Sequence, residues 1–183
     1  WRKFINRFDN IYINKMEQLD AQQYPEYFRF TVRKTMMIYQ LAIFTGTKKF
    51  KEAVHFIQQV DPVLLKAYSM VDYEKQSELL FGVGLAYFGI NDFKKAQKYI
   101  NEIVLIGKPN YQSIIYKAAR LLGILIHYSD NNLEYLDYEI RSYKRTFQNR
   151  GKLLKTEKII LKTIKLHPDI NRSRKNELLW KKM

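Results

Sequence analysis

Helical periodicity dominates the distribution of apolar residues along the chain. A first run places Phe4, Phe8, Ile11, Tyr12, Met16 and Leu19 at steps of three and four residues, which is the period of an amphipathic helix. No run shows a sustained alternation of apolar and polar residues in steps of two, so we predict no sheet. The pattern predicts an all-α protein of about eight to nine helices.

Prolines, glycines and polar residues divide this pattern into separate helices. Tyr24-Pro25 ends the first run, because proline disfavours helix in the residue before it. Asn131 and Glu134 have the spacing of a capping box, which predicts that a helix opens there. The later helices are predicted at 27–44, 48–60, 73–88, 92–106, 111–128, 131–147, 152–166 and 169–180, with a short apolar segment at 63–70. Their short connections make neighbouring helices antiparallel.

The central hairpin combines small and aromatic residues at defined intervals. Gly84 lies twelve positions before Ala96, and Tyr87 follows Gly84 by three. Two helices can approach to about 8 Å where small side chains face each other at the crossing. This hairpin resembles a tetratricopeptide repeat, a family in which the two helices carry small residues at this interval and an aromatic residue three positions after the first.

Looser copies of the hairpin flank it on both sides. Alignment of Ala53 and Leu136 with Ala96 gives periods of 43 and 40 residues, whereas the family has about 34. The best repeats cover 35–60, 77–109 and 117–147, and the segment 63–70 is the obvious insertion. The resemblance implies a right-handed α-solenoid in a single domain over 1–183, with basic helices at 152–183. The alternative is a helical bundle with one fortuitous hairpin.

The resemblance also implies a binding groove, because the first helix of each repeat lines the concave face in this family. The residues at the matching positions are Ile38, Ala42, Phe81, Leu85, Phe88, Leu121, Leu125 and Tyr128. They lack the Lys and Asn of repeats that clamp a terminal carboxylate, so we predict no such clamp. A large exposed apolar groove normally marks a protein partner. Alternatively, the terminal helices of the chain cover it.

Basic residues are concentrated near the C-terminus. The net charge is +14, and residues 141–183 hold 14 Lys and Arg against 3 Asp and Glu. One face of the predicted helix 152–166 carries Lys152, Lys155, Lys158, Lys162 and Lys165, and its other face carries Leu153, Leu154, Ile160, Leu161 and Ile164. This basic stripe could bind nucleic acid or an anionic membrane. The alternative is a capping helix with a solvated lysine face.

No group of residues has the spacing typical of catalysis or of metal binding. His55, His127 and His167 lie far apart, and Gly82-Val83-Gly84 lies in mid-helix rather than after a strand. The acidic cluster Asp130, Glu134, Asp137 and Glu139 lacks the glycine turn of a calcium loop, so capping and pairing with Arg141 or Lys144 explain it better. The chain has no cysteine, which excludes disulfides, thiol catalysis and cysteine-based zinc sites.

These patterns predict a non-enzymatic scaffold, without cofactor or metal, that binds an unidentified protein or peptide. Nucleic-acid or anionic-surface binding is the alternative function. The longest apolar stretch, 79–90, is shorter than the ~20 residues that span a bilayer. No signal peptide is visible, so we expect a cytoplasmic protein. The chain begins at Trp1 rather than methionine, so we also expect a fragment that could have lost an anchor, an export signal or an output domain.

Overall fold

A computed structural model of the protein describes Gln18 and residues 25–60, 62–66, 73–106, 113–148 and 153–166. Over these ranges the regular structure consists of eight helices and contains no strand. The helices are α1 (Glu26–Gly46), α2 (Phe50–Gln59), α3 (Pro62–Lys66), α4 (Tyr73–Gly89), α5 (Phe93–Ile106), α6 (Ile114–Ser129), α7 (Leu133–Gln148) and α8 (Lys155–Lys165). The predicted all-α class is confirmed.

Two elements differ from the prediction. The segment at 63–70 was expected as an apolar insertion, but its first part belongs to α3, which begins at Pro62. Proline is favourable there because its fixed φ suits the first position of a helix. The capping box at Asn131 is wrong: Asn131 has a φ of 57°, and α7 begins two residues later, at Leu133. The predicted helices at 4–19 and 169–180 lie outside the described residues.

Three hairpins, α1–α2, α4–α5 and α6–α7, have the same three-residue loop. The middle residue of each loop is left-handed, with φ of 60° at Lys48, 64° at Asn91 and 57° at Asn131. The third loop residue donates its backbone N–H to the carbonyl five positions earlier: Lys49 to Phe44 at 2.8 Å, Asp92 to Tyr87 at 3.0 Å and Asn132 to His127 at 2.9 Å. The loops therefore repeat after 43 and then 40 residues, the same periods that aligned Ala53, Ala96 and Leu136.

The same alignment relates buried positions of the three hairpins. Ala53, Ala96 and Leu136 are fully buried, and Ile57, Ile100 and Ile140 are buried one turn later. In the first two hairpins an aromatic pair also recurs, with ring centroids 5.9 Å apart for Phe44–Phe56 and for Tyr87–Tyr99. The loop geometry and these two buried positions therefore recur together in the three hairpins.

Helix α4 packs against α1, α2 and α5. Two glycines allow this close packing. A Cβ on Gly84 would lie 2.8 Å from Ile100 Cδ1 and 3.5 Å from the Ala96 carbonyl oxygen, so α4 and α5 approach closely where the spacing of small residues predicts a crossing. A Cβ on Gly82 would lie 3.2 Å from Leu41 Cβ on α1. Both glycines of the Gly82-Val83-Gly84 triplet thus have packing roles in mid-helix.

The chain divides into two compact units, and the division falls within α6, between Tyr116 and Lys117. In the second unit, polar contacts join the three helices. The Arg120 guanidinium on α6 donates to Glu139 Oε2 and Ser142 Oγ of α7, each at 3.1 Å. Lys117 Nζ lies 2.9 Å from Glu157 Oε2 of α8. Buried Leu161 and Ile164 anchor α8 through its apolar face.

Candidate functional site

A cavity of about 540 Å³ lies between α1 and α4 in the first unit. Its lining residues from α1 are Thr35, Ile38, Tyr39, Ala42, Thr45 and Gly46. Those from later helices are Lys75, Glu78, Phe81, Gly82, Leu85 and Ile115. We call this surface the α1–α4 groove. Its volume falls within the ~300–1,000 Å³ typical of ligand-binding clefts.

The helical period explains how the two helices form both a core and a groove. On α1 the lining residues recur at three- and four-residue steps, which places them on one face. The neighbouring positions Lys34, Met37 and Leu41 are buried on the other side. α4 divides in the same way, because its core residues Leu79, Leu80 and Val83 alternate with lining residues. Each helix therefore contributes one face to the core and another to the groove.

The middle of the groove is apolar, and polar groups lie along its length. Ile38, Phe81 and Leu85 are half-buried, whereas Ala42 is exposed, so the apolar surface is accessible. The Thr45 hydroxyl donates to the Leu41 carbonyl at 2.8 Å, which satisfies this polar group within its own helix. Lys75 and Glu78 bring opposite charges to the α4 side. A mainly apolar cavity with a few polar groups is the usual composition of a binding cleft.

The structure brings together four of the predicted groove residues, namely Ile38, Ala42, Phe81 and Leu85. Phe88 is not among the lining residues. It is half-buried, and its ring centroid lies 5.9 Å from that of Phe93, inside the α4–α5 hairpin. The remaining three, Leu121, Leu125 and Tyr128, are half-buried on α6 in the second unit.

Sequence reasoning missed several residues of the groove. The repeat alignment selects positions near the centre of each hairpin, so it omitted the turns on either side. An extension of the same helical faces by one turn finds Thr35 and Thr45 on α1 and Glu78 on α4. Ile115 could not be found in this way, because it belongs to a helix that follows the second hairpin.

A buried polar pair joins the same two helices on their core side. Lys34 is only 1% exposed, and its ammonium donates to Gln76 Oε1 on α4. Gln76 Nε2 donates to the Leu65 carbonyl at 3.0 Å, and the Phe30 ring centroid lies 5.4 Å from Lys34 Nζ. Burial lowers the pKa of Lys34 to about 8. The hydrogen bond between Lys34 and Gln76 thus adds a directional contact to the apolar packing of α1 against α4.

The two histidines in the described ranges, His55 and His127, each contact a neighbouring side chain. The His127 ring lies 5.4 Å from the Tyr135 ring, and burial lowers its pKa although Glu139 and Asp130 act in the opposite direction. His55 is exposed and lies 3.0 Å from Gln59 Nε2, whereas His167 is outside the described residues. Within the described ranges, no group of three or more His, Asp or Glu side chains could hold a metal ion.

The acidic cluster forms ion pairs with arginines. Asp137 Oδ2 lies 3.3 Å from Arg141 Nη2, which is one of the pairings that the sequence predicts. Glu139 instead pairs across the hairpin with Arg120 on α6, at 3.1 Å. Both contacts lie within the α6–α7 hairpin, so they account for these two acidic residues without a bound ion.

The basic stripe lies on α8. Lys155, Lys158 and Lys162 are exposed and Lys165 is half-buried, whereas Lys152 lies outside the described residues. Leu153, Leu161 and Ile164 are buried as the helical wheel predicts, and Ile160 is half-buried. Leu154, which the helical wheel places on the apolar face, is instead 60% exposed and is the N-cap of α8.

None of the helices in the described ranges combines the length and the apolar character needed to cross a membrane. We compared the chain with protein-family models, curated proteins and solved structures, and none of them matched it.

Proposed function

We propose that the protein is a non-enzymatic interaction scaffold that binds a short apolar segment of a partner protein in the α1–α4 groove. One observation carries this proposal: the helices that begin two successive hairpins turn apolar side chains into a common cavity of about 540 Å³. These positions lie on helices that pack on their other faces, so the groove is formed without a ligand, as most binding clefts are.

The proposed architecture is a right-handed α-solenoid of tetratricopeptide-like hairpins. Its support is the repetition of loop geometry and of buried positions at offsets of 43 and 40 residues, together with the Gly84, Tyr87 and Ala96 spacing. In such arrays each repeat packs on its neighbours, and the first helices of the repeats form an extended concave binding surface. The α1–α4 groove lies between two such first helices.

The chemistry of the groove describes its ligand. The half-buried Ile38, Phe81 and Leu85 favour an aliphatic or aromatic side chain at the centre of the bound segment, because its burial removes apolar area from water. Lys75 and Glu78 favour polar groups at the flank of the segment. A peptide with one or two large apolar residues between polar ones fits these requirements.

Selection from a random peptide library, on the whole chain, tests this function. We expect selected peptides to share a central apolar residue and to bind at least tenfold more weakly to Ala42→Glu, because a carboxylate in the groove must lose its hydration on binding. Gln58→Glu, at an exposed position of α2 outside the groove, is the matched control and should bind as the wild type does.

The same measurements distinguish binding from folding. Circular dichroism should show equal helicity for the wild type and both variants, because Ala42 and Gln58 are exposed. If Ala42→Glu unfolds the protein, the position belongs to the core rather than to a binding surface. The proposal fails if the selected peptides bind both variants equally well.

A further inference from the structure

The outward face of α8 combines lysines with exposed aliphatic side chains. Lys155, Ile159 and Lys162 follow one another at steps of four and three residues, so they lie along one side of α8, and the C-cap residue Leu166 continues this line four positions later. Ile159 is 56% exposed and Leu166 is 66% exposed. Lys158 is exposed beside this line. We call these five residues the α8 outer face.

The α8 outer face is not required for the packing of α8. Leu161 and Ile164 are buried on the opposite side, and Leu153 is buried just before the helix. Glu157 is also buried, and its Oε2 accepts hydrogen bonds from Lys117 Nζ and from the Leu154 backbone N–H, both at 2.9 Å. Packing of the inner side therefore leaves the lysines and aliphatic groups of the outer face in contact with solvent.

The charge of this face has a single sign. Glu157 is the only acidic residue between positions 153 and 166, and it points inward. A surface that is basic and partly apolar complements a partner that presents anionic groups next to an apolar layer. An anionic lipid bilayer has this composition, because phosphates lie above the acyl chains within the length of a lysine side chain.

We propose that the α8 outer face is a docking surface for an anionic lipid bilayer. Lys155, Lys158 and Lys162 contact the headgroup phosphates, while Ile159 and Leu166 enter the boundary of the acyl chains. The helix lies in the plane of the interface and does not cross it. This activity is separate from that of the α1–α4 groove and does not depend on it.

The exposed aliphatic residues favour lipid over nucleic acid. Proteins that bind single strands stack bases on aromatic side chains, and the α8 outer face has none. Its cations are all lysines, which lack the planar, bidentate geometry with which arginine contacts phosphate specifically. Contact with phosphates alone would also leave Ile159 and Leu166 in water, whereas a bilayer covers them.

Sedimentation of the whole chain with vesicles tests the proposal. We expect binding to vesicles of phosphatidylcholine mixed with phosphatidylserine, and none to phosphatidylcholine alone. Each lysine near such a surface contributes about fivefold in affinity, so the triple variant K155Q/K158Q/K162Q should bind roughly a hundredfold more weakly. The matched control K51Q/K94Q/K98Q removes three exposed lysines on α2 and α5 and should bind within about twofold of wild type.

The aliphatic residues have a test of their own. I159S/L166S should lower vesicle binding at least tenfold, whereas L105S, at a 65% exposed leucine of α5, should leave it unchanged. Equal losses in K51Q/K94Q/K98Q and K155Q/K158Q/K162Q would overturn the proposal, because binding would then depend only on total charge. Tight binding of RNA or of an acidic peptide, without binding to vesicles, would overturn it as well.

A fluorescent dye reports insertion into the bilayer directly, without a comparison of the affinities of variants. Because the chain has no cysteine, Ile159→Cys and Leu105→Cys each provide a single labelling site. An environment-sensitive dye at position 159 should shift to the blue on phosphatidylserine vesicles, and the same dye at position 105 should not. A dye at position 159 that stays in water on bound vesicles would contradict insertion of the α8 outer face.

Discussion

At the scale of single residues, Gly46 and Gly89 occupy the same position at the end of α1 and of α4 but have different surroundings. A Cβ on Gly89 would collide with the ring of Phe50, whereas nothing lies within 4 Å of a Cβ on Gly46. Neither glycine has a positive φ, so alanine fits the backbone at both positions. A comparison of alanine substitutions at the two positions therefore separates the steric effect of a methyl group from its effect on the backbone.

Gly89→Ala should lower the free energy of unfolding by about 1–3 kcal/mol, because the Phe50 ring must move away from α4. Gly46→Ala should leave it unchanged or raise it by up to about 1 kcal/mol, since alanine reduces the freedom of the unfolded chain. Urea titration followed by circular dichroism measures both. Equal stabilities of the two variants would mean that Phe50 reorients at no cost.

Buried Lys34 should make stability depend on pH above neutrality. Its pKa is about 8 in the folded protein, against 10.5 for an ordinary lysine, because burial disfavours the charged form. As pH rises from 8 to 10.5, the folded state has released this proton while the unfolded state still holds it, so stability increases. The gain of the wild type over Lys34→Met across this window should approach roughly 3 kcal/mol.

This pH dependence is measured as a difference between two proteins. Burial raises the pKa of Tyr73 and Tyr99, so these groups lower stability at high pH, but they are present in both the wild type and Lys34→Met. Urea titrations at several pH values between 7 and 10.5 give the difference. Parallel pH profiles would show that Lys34 is not desolvated by folding.

At the scale of the elements, each loop between paired helices has one residue in the left-handed region. The three residues at this position differ in how readily they adopt that conformation. Asn91 and Asn131 adopt the left-handed region readily, whereas Lys48 adopts it at a cost of about 1 kcal/mol. All three residues are exposed, so substitution changes little besides the backbone preference.

The reciprocal exchange of residues between two loops tests this interpretation. Lys48→Asn should raise the free energy of unfolding by about 0.5–1 kcal/mol, and Asn91→Lys should lower it by a similar amount. The double variant should be close to the wild type, because the two sites lie in different loops and their effects add. Chemical denaturation gives all four values, and changes of the same sign in both single variants would contradict the explanation.

Seven of the eight described helices, and most of their ends, could be predicted because proline, glycine and period act locally. α3 could not, since five residues are too few to show a helical period. The misplaced start of α7 has another cause. Asparagine is favoured both as an N-cap and as a left-handed loop residue, so the type of Asn131 did not distinguish them. The equivalent position in the first hairpin, Lys48, has neither preference, so its residue type gave no sign of a left-handed loop position.

At the scale of the whole molecule, the sequence marks the three aligned hairpins with different clarity. Gly84 and Ala96 mark their crossing by the absence of side chains, and the α4–α5 packing agrees with it. The third hairpin has Leu136 at the position of Ala96, so its sequence match is looser, and its loop geometry and burial agree with the alignment. A pattern of small residues thus marks the α4–α5 crossing and is absent from the aligned positions of the α6–α7 hairpin, Ile124 and Leu136.

The residues of the α1–α4 groove could also be predicted only in part. Four of the residues that face it from α1 and α4 could be named beforehand, because they lie at matching positions of the aligned hairpins. Ile115 belongs to α6, beyond the α4–α5 hairpin, so an alignment of hairpins does not predict its placement at the groove. This placement depends on the connections between hairpins, whose conformations have no periodic signal in the sequence.

The three loops have the same length and backbone conformation, and this limits where residues can be added to the chain or removed from it. The loops are equal, yet the left-handed residues are spaced by 43 and then 40 positions, so the difference in length lies outside the loops, in the helices and in the connections between hairpins. A residue inserted into a loop would displace its left-handed position and its cap, whereas one inserted between hairpins changes neither. Insertions, tags and fusion junctions placed between hairpins should therefore leave the loop and the cap of each hairpin intact. The connections between hairpins are thus the places at which the length of the chain can be changed by engineering.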